Sequence, residues 1–339
     1  MRAAFVRSPF EFEIRDVEAP EPGFEEVLLD VAMVGVCGTD VHLAAEWAAE
    51  WRRFGHETAA HVAAVGPGVT DLAIGDLVTV RTTTMCGRCR FCMDGRPRGC
   101  LNWRESRLSS ALADQMVAPR RSLWRVEDLD PLATTLIEPL SVALSVVDTA
   151  EIALDHDVAV VGPGPIGIMA IKIAKLRGAR RVFVVGTDAD TGRFGLCEEM
   201  GADLCLVAET EDVVQRIWTE TGGVGLDRVV VTAPPVAIPP ALALGRYGAI
   251  VTFVGFAADD EAGVVPIDLN AFHNAKLQLR ASYAAPLAPF AQANRLLAAG
   301  HIPVDKMITH RFSLNEVATA LQVVAKHEDG VVKAVVAIR

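Results

Sequence analysis

Four cysteines crowd one short segment: Cys86, Cys89, Cys92 and Cys100. Four thiolates satisfy tetrahedral zinc and close its shell, which makes a structural rather than a catalytic site. Iron–sulfur runs share the first spacings but continue with a cysteine after three residues and then proline. Here the last gap is seven residues and Leu101 follows. An empty or disulfide-bonded loop is the remaining alternative. A second set is dispersed: Cys37 and, close after it, Thr39 and His42; then His56 and Glu57; then Glu138. Each is bland alone, since a cysteine after a strand is commonly core and a Glu before Pro commonly opens a helix. Together they offer a thiolate, an imidazole and two carboxylates, a mixed set suited to an open catalytic zinc.

A third constellation is the turn Gly162-Pro163-Gly164-Pro165-Ile166-Gly167, with Asp188 lying 21 residues after Gly167. A strand-like run precedes it and a helical pattern follows, the full context of a dinucleotide fingerprint. Gly162 allows the tight turn, Gly164 lets the backbone approach a pyrophosphate, and Gly167 lets helix and strand pack closely. Free N–H groups at the helix start attract phosphate, and Pro165 has no donor to waste there. Asp188 accepts ribose hydroxyls and repels a 2′-phosphate, which favours NAD over NADP. Arg193 and Arg181 lie near it in sequence and leave room for a phosphate. A glycine turn that binds no nucleotide is the bland alternative.

These residues need scaffolds. The first third of the chain reads as short strands broken by Gly and Pro, among them Val27 to Val36, Val62 to Val65 and Leu77 to Val80. The middle alternates strands (Val158 to Val161, Val182 to Val185, Leu204 to Val207, Val229 to Val231, Ile250 to Val254) with helices (Ile168 to Leu176, Arg193 to Met200). That alternation predicts a parallel, doubly wound sheet. The tail predicts helices over Phe290 to Ala299 and Leu314 to Lys326 and a strand over Lys333 to Ile338.

Composition narrows the function classes. The 339 residues are 51% hydrophobic, enough for a sizeable core. Against 43 acidic residues stand 32 basic ones, a net charge of −11. An acidic chain with no basic block is a poor partner for nucleic acid or an anionic membrane. No apolar run approaches the roughly 20 residues of a membrane helix, and the first residues lack a signal-peptide core, which together read as cytoplasmic.

The motif order resembles the zinc-containing medium-chain dehydrogenases over nearly the whole chain. Glu138-Pro139-Leu140-Ser141-Val142 is most similar to the sorbitol (polyol) dehydrogenase branch, since liver-type alcohol dehydrogenases carry a cysteine there. Gly75-Asp76, Gly201-Ala202-Asp203 and His310-Arg311-Phe312 extend the likeness. The resemblance implies an α/β chain: a GroES-like β-rich catalytic domain at 1–140 holding the zinc loop 86–100, a Rossmann domain at 141–285, and a return to the catalytic domain at 286–339. It implies two zinc ions, the catalytic one on Cys37 and His56 with Glu57 or Glu138 and a water. Thr39 then takes the substrate's proton and His42 relays it. Gly162, Gly164, Pro165, Ile166, Gly167, Asp188, Arg193 and Arg311 serve NAD. The implied reaction is oxidation of a secondary alcohol (a polyol, sugar or cyclitol), with an amino-alcohol such as threonine or an aminocyclitol as the alternative. A non-catalytic NAD-sensing protein and a zinc-free reductase are the other readings, and the intact metal sets speak against both. A homo-oligomer, dimer or tetramer, is implied.

The chain also departs from the family pattern. Arg53-Phe54 replaces a proline before Gly55-His56-Glu57, Ala60-His61 and Ser109-Ser110 replace smaller pairs, and the segment after His42 is short. Within it Trp47 and Trp51, and Glu46 and Glu50, stand four apart. A helix there gives each pair one face, bordering the substrate cleft or simply packing as a lid; Trp103 and Arg104 are weaker candidates. Cys197 and Cys205 read as isolated, buried spectators.

Overall fold

The computed structural model describes residues 1–82, 84–103, 110–257, 259, 261–283 and 289–338, without the side chains of Arg98 and Asp329. Arg104, Ser109 and Pro286, named above, lie outside the described residues. Contacts divide the chain into two units: residues 1–141 with the tail from 284, and Val142–Tyr283.

The first unit is built on Glu26–Gly35. Val27, Leu29 and Val31 are fully buried along it while Leu28 and Asp30 are not, the two-residue period of a strand with one face on a core. It pairs antiparallel with Glu57–Val65, Gln115–Pro119 and Lys333–Ala337. Leu77–Val80, Leu123–Arg125 and Ile308–Ser313 extend the sheet to seven strands. A smaller sheet joins Glu11–Asp16, Arg2–Arg7 and Arg52–Arg53. The registers set Gly35 opposite both Glu57 and Val335. Three distant stretches of sequence therefore converge on one sheet end: the segment leading to Cys37, the start of Glu57–Val65, and the final strand.

The second unit is a parallel sheet of six strands. In space they run Leu204–Val207, Arg181–Gly186, Asp157–Val161, Leu226–Val231, Gly245–Phe253, Gln278–Ala281. In chain order that is 3-2-1-4-5-6, the doubly wound topology. All five residues of Asp157–Val161 are buried, as a central parallel strand covered on both faces requires. Gln278–Ala281, half exposed, carries too little apolar signal to be read from sequence. The helix expected from Arg193 begins as a 3-10 turn, Asp188–Arg193, before Phe194–Met200.

One correction concerns length. The helical stretch Pro131–Ala150 is 20 residues and as apolar as a membrane span, contrary to the reading that no run approaches that length. Within it 78% of the apolar window is buried inside the protein, which makes it a core helix.

Candidate active site and dinucleotide turn

Three of the mixed set, Cys37, His56 and Glu57, assemble at the convergent sheet end, and Glu138 lies outside that three-residue cluster. Cys37 precedes a short helix, Gly38–His42. Asp40 reaches back so that its Oδ2 accepts the Cys37 N–H at 3.1 Å, an N-cap arrangement that fixes the thiol's backbone. Its other oxygen lies 3.5 Å from His56 Nδ1. Asp40 is 2% exposed and so ties the two potential ligands together. Ligand atoms of Cys37, His56 and Glu57 lie within 4.8 Å of one another. Burial opposes charge on His56, but Asp40 and Cys37 more than offset it and hold the imidazole well above its usual 6.5. Thr39 Oγ1 stands 3.7 Å from Cys37 Sγ.

Glu57 has a partner that no motif announced. Lys333 Nζ donates to Glu57 Oε1 at 2.5 Å and to the Val36 carbonyl at 2.9 Å. Glu57 Oε2 also contacts that ammonium, so both oxygens of the buried carboxylate face the same cation. A Cβ on Gly35 would overlap the Glu57 carboxylate, so the strand offers glycine where the carboxylate lies. Glu138, second residue of the helix Ile137–Ala150, is buried. Burial, with Glu57 and Asp40 nearby, pushes its carboxyl up to about 7, although His56 and Lys333 pull the other way. A buried carboxyl destabilised as an anion, with His56 among the charges acting on it, suits a divalent cation. One available signal for Lys333 was a lone charge opening an otherwise apolar strand, Lys333–Ala337.

The four-cysteine loop closes as expected for a metal. Ligand atoms of Cys86, Cys89, Cys92 and Cys100 lie within 4.8 Å of one another. N–H groups point at the sulfurs: Cys86 N–H at Cys100 Sγ (3.3 Å) and Leu101 N–H at Cys89 Sγ (3.5 Å). The Arg88 N–H pulls the Cys86 thiol down to about 6 against the effect of burial. Four sulfurs with this donor set fit zinc and leave it no open position.

In the second unit the glycine turn follows Asp157–Val161. Gly162 has φ +96°, and a Cβ there would approach the Ala233 nitrogen to 2.7 Å. Over Gly164 a Cβ would meet nothing within 4 Å. Pro165 opens the helix Pro165–Leu176, followed by Ile166 and the buried Gly167. That open space at a helix N-terminus fits a pyrophosphate. Asp188 is exposed just past Arg181–Gly186. Arg193 is only 6% exposed and pairs with Asp190 at 3.0 Å. Arg181 lies at the opposite end of its strand, bonded to Asp157 at 2.6 Å, so its nearness to Asp188 in sequence does not carry into space.

The segment after His42 and the paired cysteines Cys197 and Cys205 differ from expectation. Helical geometry ends at Trp47: the wide turn Leu43–Trp47 stops at Ala48, whose carbonyl accepts the Ser8 N–H at 2.8 Å. The tryptophans therefore part. Trp47 stacks on His42, ring centroids 5.1 Å apart. Trp51 sits between the guanidinium groups of Arg7 and Arg15, at 4.8 and 4.7 Å. Glu46 lies near His42, Glu50 near Arg7. Arg53 donates to the Ser110 and Gln115 carbonyls, and Phe54 is core. Arg311 is exposed on Ile308–Ser313, 3.9 Å from Asp305. Cys197 and Cys205 are neighbours rather than isolated: each thiol shifts the ionisation of the other, up at Cys197 and down at Cys205, and Cys205 is only partly buried.

Comparison with known proteins bears on both units. Residues 23–128 match the alcohol dehydrogenase GroES-like domain, and residues 165–299 match the zinc-binding dehydrogenase family. The chain is 32% identical to L-threonine 3-dehydrogenase of Pyrococcus furiosus, over 88% of each chain. It is 30% identical to L-galactonate-5-dehydrogenase of Escherichia coli, over 92% of each. Its fold is similar to an alcohol dehydrogenase from Thermus sp. ATN1, with a TM-score of 0.88, 26% identity and 100% coverage of both chains.

Proposed function

The chain belongs to the zinc-containing medium-chain dehydrogenases, and from that premise we propose that it oxidises a secondary alcohol to a ketone with NAD. The observation that carries the reading is the convergence of Cys37, His56 and Glu57 within 4.8 Å, with a further buried carboxyl at Glu138 that feels the charges of His56 and Glu57. Bound zinc supplies Lewis acidity toward the substrate hydroxyl, and the nicotinamide accepts the hydride. Cys37 and His56, with Glu57 or Glu138, would hold the zinc. Glu57 is matched in charge by Lys333. Asp40 orients His56, as carboxylates behind metal-bound imidazoles do. Thr39 Oγ1 takes the substrate's hydroxyl proton, and His42, stacked on Trp47, passes it outward. Gly162, Gly164 and Gly167 with the helix start hold the pyrophosphate, and Asp188 holds the ribose.

Among secondary alcohols, the relatives' names favour an amino-alcohol, L-threonine first. Sugar-derived alcohols come second, on the name of the galactonate enzyme. Glu46, exposed beside His42, is placed to pair with a substrate ammonium. The test is NADH formation by zinc-loaded protein with L-threonine, aminocyclitols, linear polyols, sugar acids and simple alcohols, NAD and NADP in parallel. Turnover of a secondary alcohol supports the reading. Silence across the panel, with zinc and NAD both bound, overturns it in favour of a binding protein.

A further inference from the structure

The parallel sheet delivers a second carboxylate to the place where Asp188 stands. Gly186 and Val207 are opposite one another at the ends of adjacent strands. Ala208 N–H donates to the Gly186 carbonyl at 2.9 Å. The residues that follow each strand, Asp188 and Glu209, thus emerge side by side. Glu209 Oε2 accepts the Asp188 N–H at 3.2 Å. Both residues are exposed. The adjacent cation, Arg193, is buried. Its guanidinium is 7% exposed and lies on Asp190. Asp190 itself takes the Thr187 N–H and hydroxyl at 3.0 and 2.8 Å.

We propose that Glu209 is a specificity-determining residue that acts with Asp188 to reject the 2′-phosphate of NADP. The inference rests on the reading of Asp188 as the ribose-binding residue and extends it to a residue from a different strand. A ribose with free hydroxyls donates hydrogen bonds to carboxylates at this edge. A 2′-phosphate brings up to two further negative charges against Asp188 and Glu209, and the neighbouring Arg193 guanidinium is buried. Glu209 also steadies the Asp188 backbone, so the two roles must be separated by experiment. A purely structural role weakens NAD and NADP alike, whereas a role in discrimination changes their ratio.

Equilibrium binding of NAD and NADP to the zinc-loaded full-length protein, read by calorimetry, provides that separation. AMP and 2′,5′-ADP serve as minimal probes of the same subsite. Wild type is expected to prefer NAD and AMP. Glu209→Gln should narrow the NAD-to-NADP Kd ratio by about tenfold, roughly the effect of one like charge at close range in a partly solvated site. Glu209→Arg should narrow it further, and the wild-type preference should shrink as salt rises. A ratio unchanged within about twofold in both variants, while NAD still binds, overturns the inference alone. Binding of neither dinucleotide by wild type overturns the reading of the glycine turn on which it rests.

Discussion

Glu57 and Lys333, 276 residues apart in sequence, form an ion pair whose side chains are 1% and 3% exposed. The pair joins the first candidate metal ligands to the last strand of the chain. It holds one carboxylate charge-matched and leaves Glu138 as the acid that lacks a committed cation. Burial of both partners sets the cost of breaking it. Lys333→Met should destabilise the protein by about 3–5 kcal/mol, because an unpaired carboxylate stays buried. Combining it with Glu57→Leu should recover much of that loss. Denaturant unfolding of the single and double variants checks both, and a loss below about 1 kcal/mol, the surface-pair range, contradicts the assignment.

The two carboxylates should separate in metal affinity. Glu138→Ala should weaken the catalytic zinc by more than about 100-fold, beyond the 10–100-fold typical of residues behind the ligands. Glu57→Gln should weaken it less. Zinc retained at the four cysteines should not change in either variant. Chelator titration followed by metal analysis distinguishes the two ions, and equal effects of both substitutions would remove the distinction drawn between Glu138 and Glu57.

Gly162 has no tolerance for a side chain. Its φ of +96° and the Ala233 nitrogen 2.7 Å from an added Cβ forbid alanine without backbone movement. Gly162→Ala should lower stability by about 1–3 kcal/mol and abolish measurable NAD binding, with both zinc ions retained. Wild-type NAD affinity in this variant would show that the turn does not cradle the pyrophosphate.

Asp157 gives the second unit an acid-sensitive clamp. It is 2% exposed and accepts paired hydrogen bonds from both Arg180 and Arg181. Burial opposes its ionisation, but the two guanidinium groups prevail and hold its carboxyl below the usual 3.8. A depressed carboxylate stabilises the fold above its unfolded value, and the contribution fades as pH falls through the folded one. Asp157→Asn should therefore cost most near neutral pH, and its difference from wild type should shrink below about pH 4. Unfolding free energies measured across that range test the sign, and a constant difference would refute it.

Glu46 and Glu50 should not behave alike. Glu46→Ala should raise KM for an amino-alcohol several-fold with kcat little changed, the pattern of lost uniform binding. Glu50→Ala, near Arg7 and the small N-terminal sheet, should leave both unchanged. Steady-state kinetics on the best substrate of the panel decides, and equal KM values for both variants would detach Glu46 from the substrate.

Much of the site was legible because its chemistry depends on local spacing. The glycine turn and the four-cysteine loop each lie within a single loop, where residue order and distance in space nearly coincide. The strands Leu77–Val80 and Leu204–Val207 have the bounds their apolar runs suggest. Weaker signals failed where local pattern met long-range contact. Trp47 and Trp51 have helical spacing, yet the Ser8 N–H draws Ala48 toward the N-terminal sheet and ends the helix between them. Arg181 is close to Asp188 in sequence but a strand's length away in space.

From sequence alone came the residue types able to bind zinc and a dinucleotide, and the alternation that requires a parallel sheet, since both follow from side-chain chemistry and short-range periodicity. Only the tertiary structure decided which groups face one another. Strand register places Lys333 on Glu57 and Glu209 against Asp188, and burial sets the charge that Glu138 resists. These relations depend on the pairing of segments remote in the chain, and nothing in local order specifies that pairing.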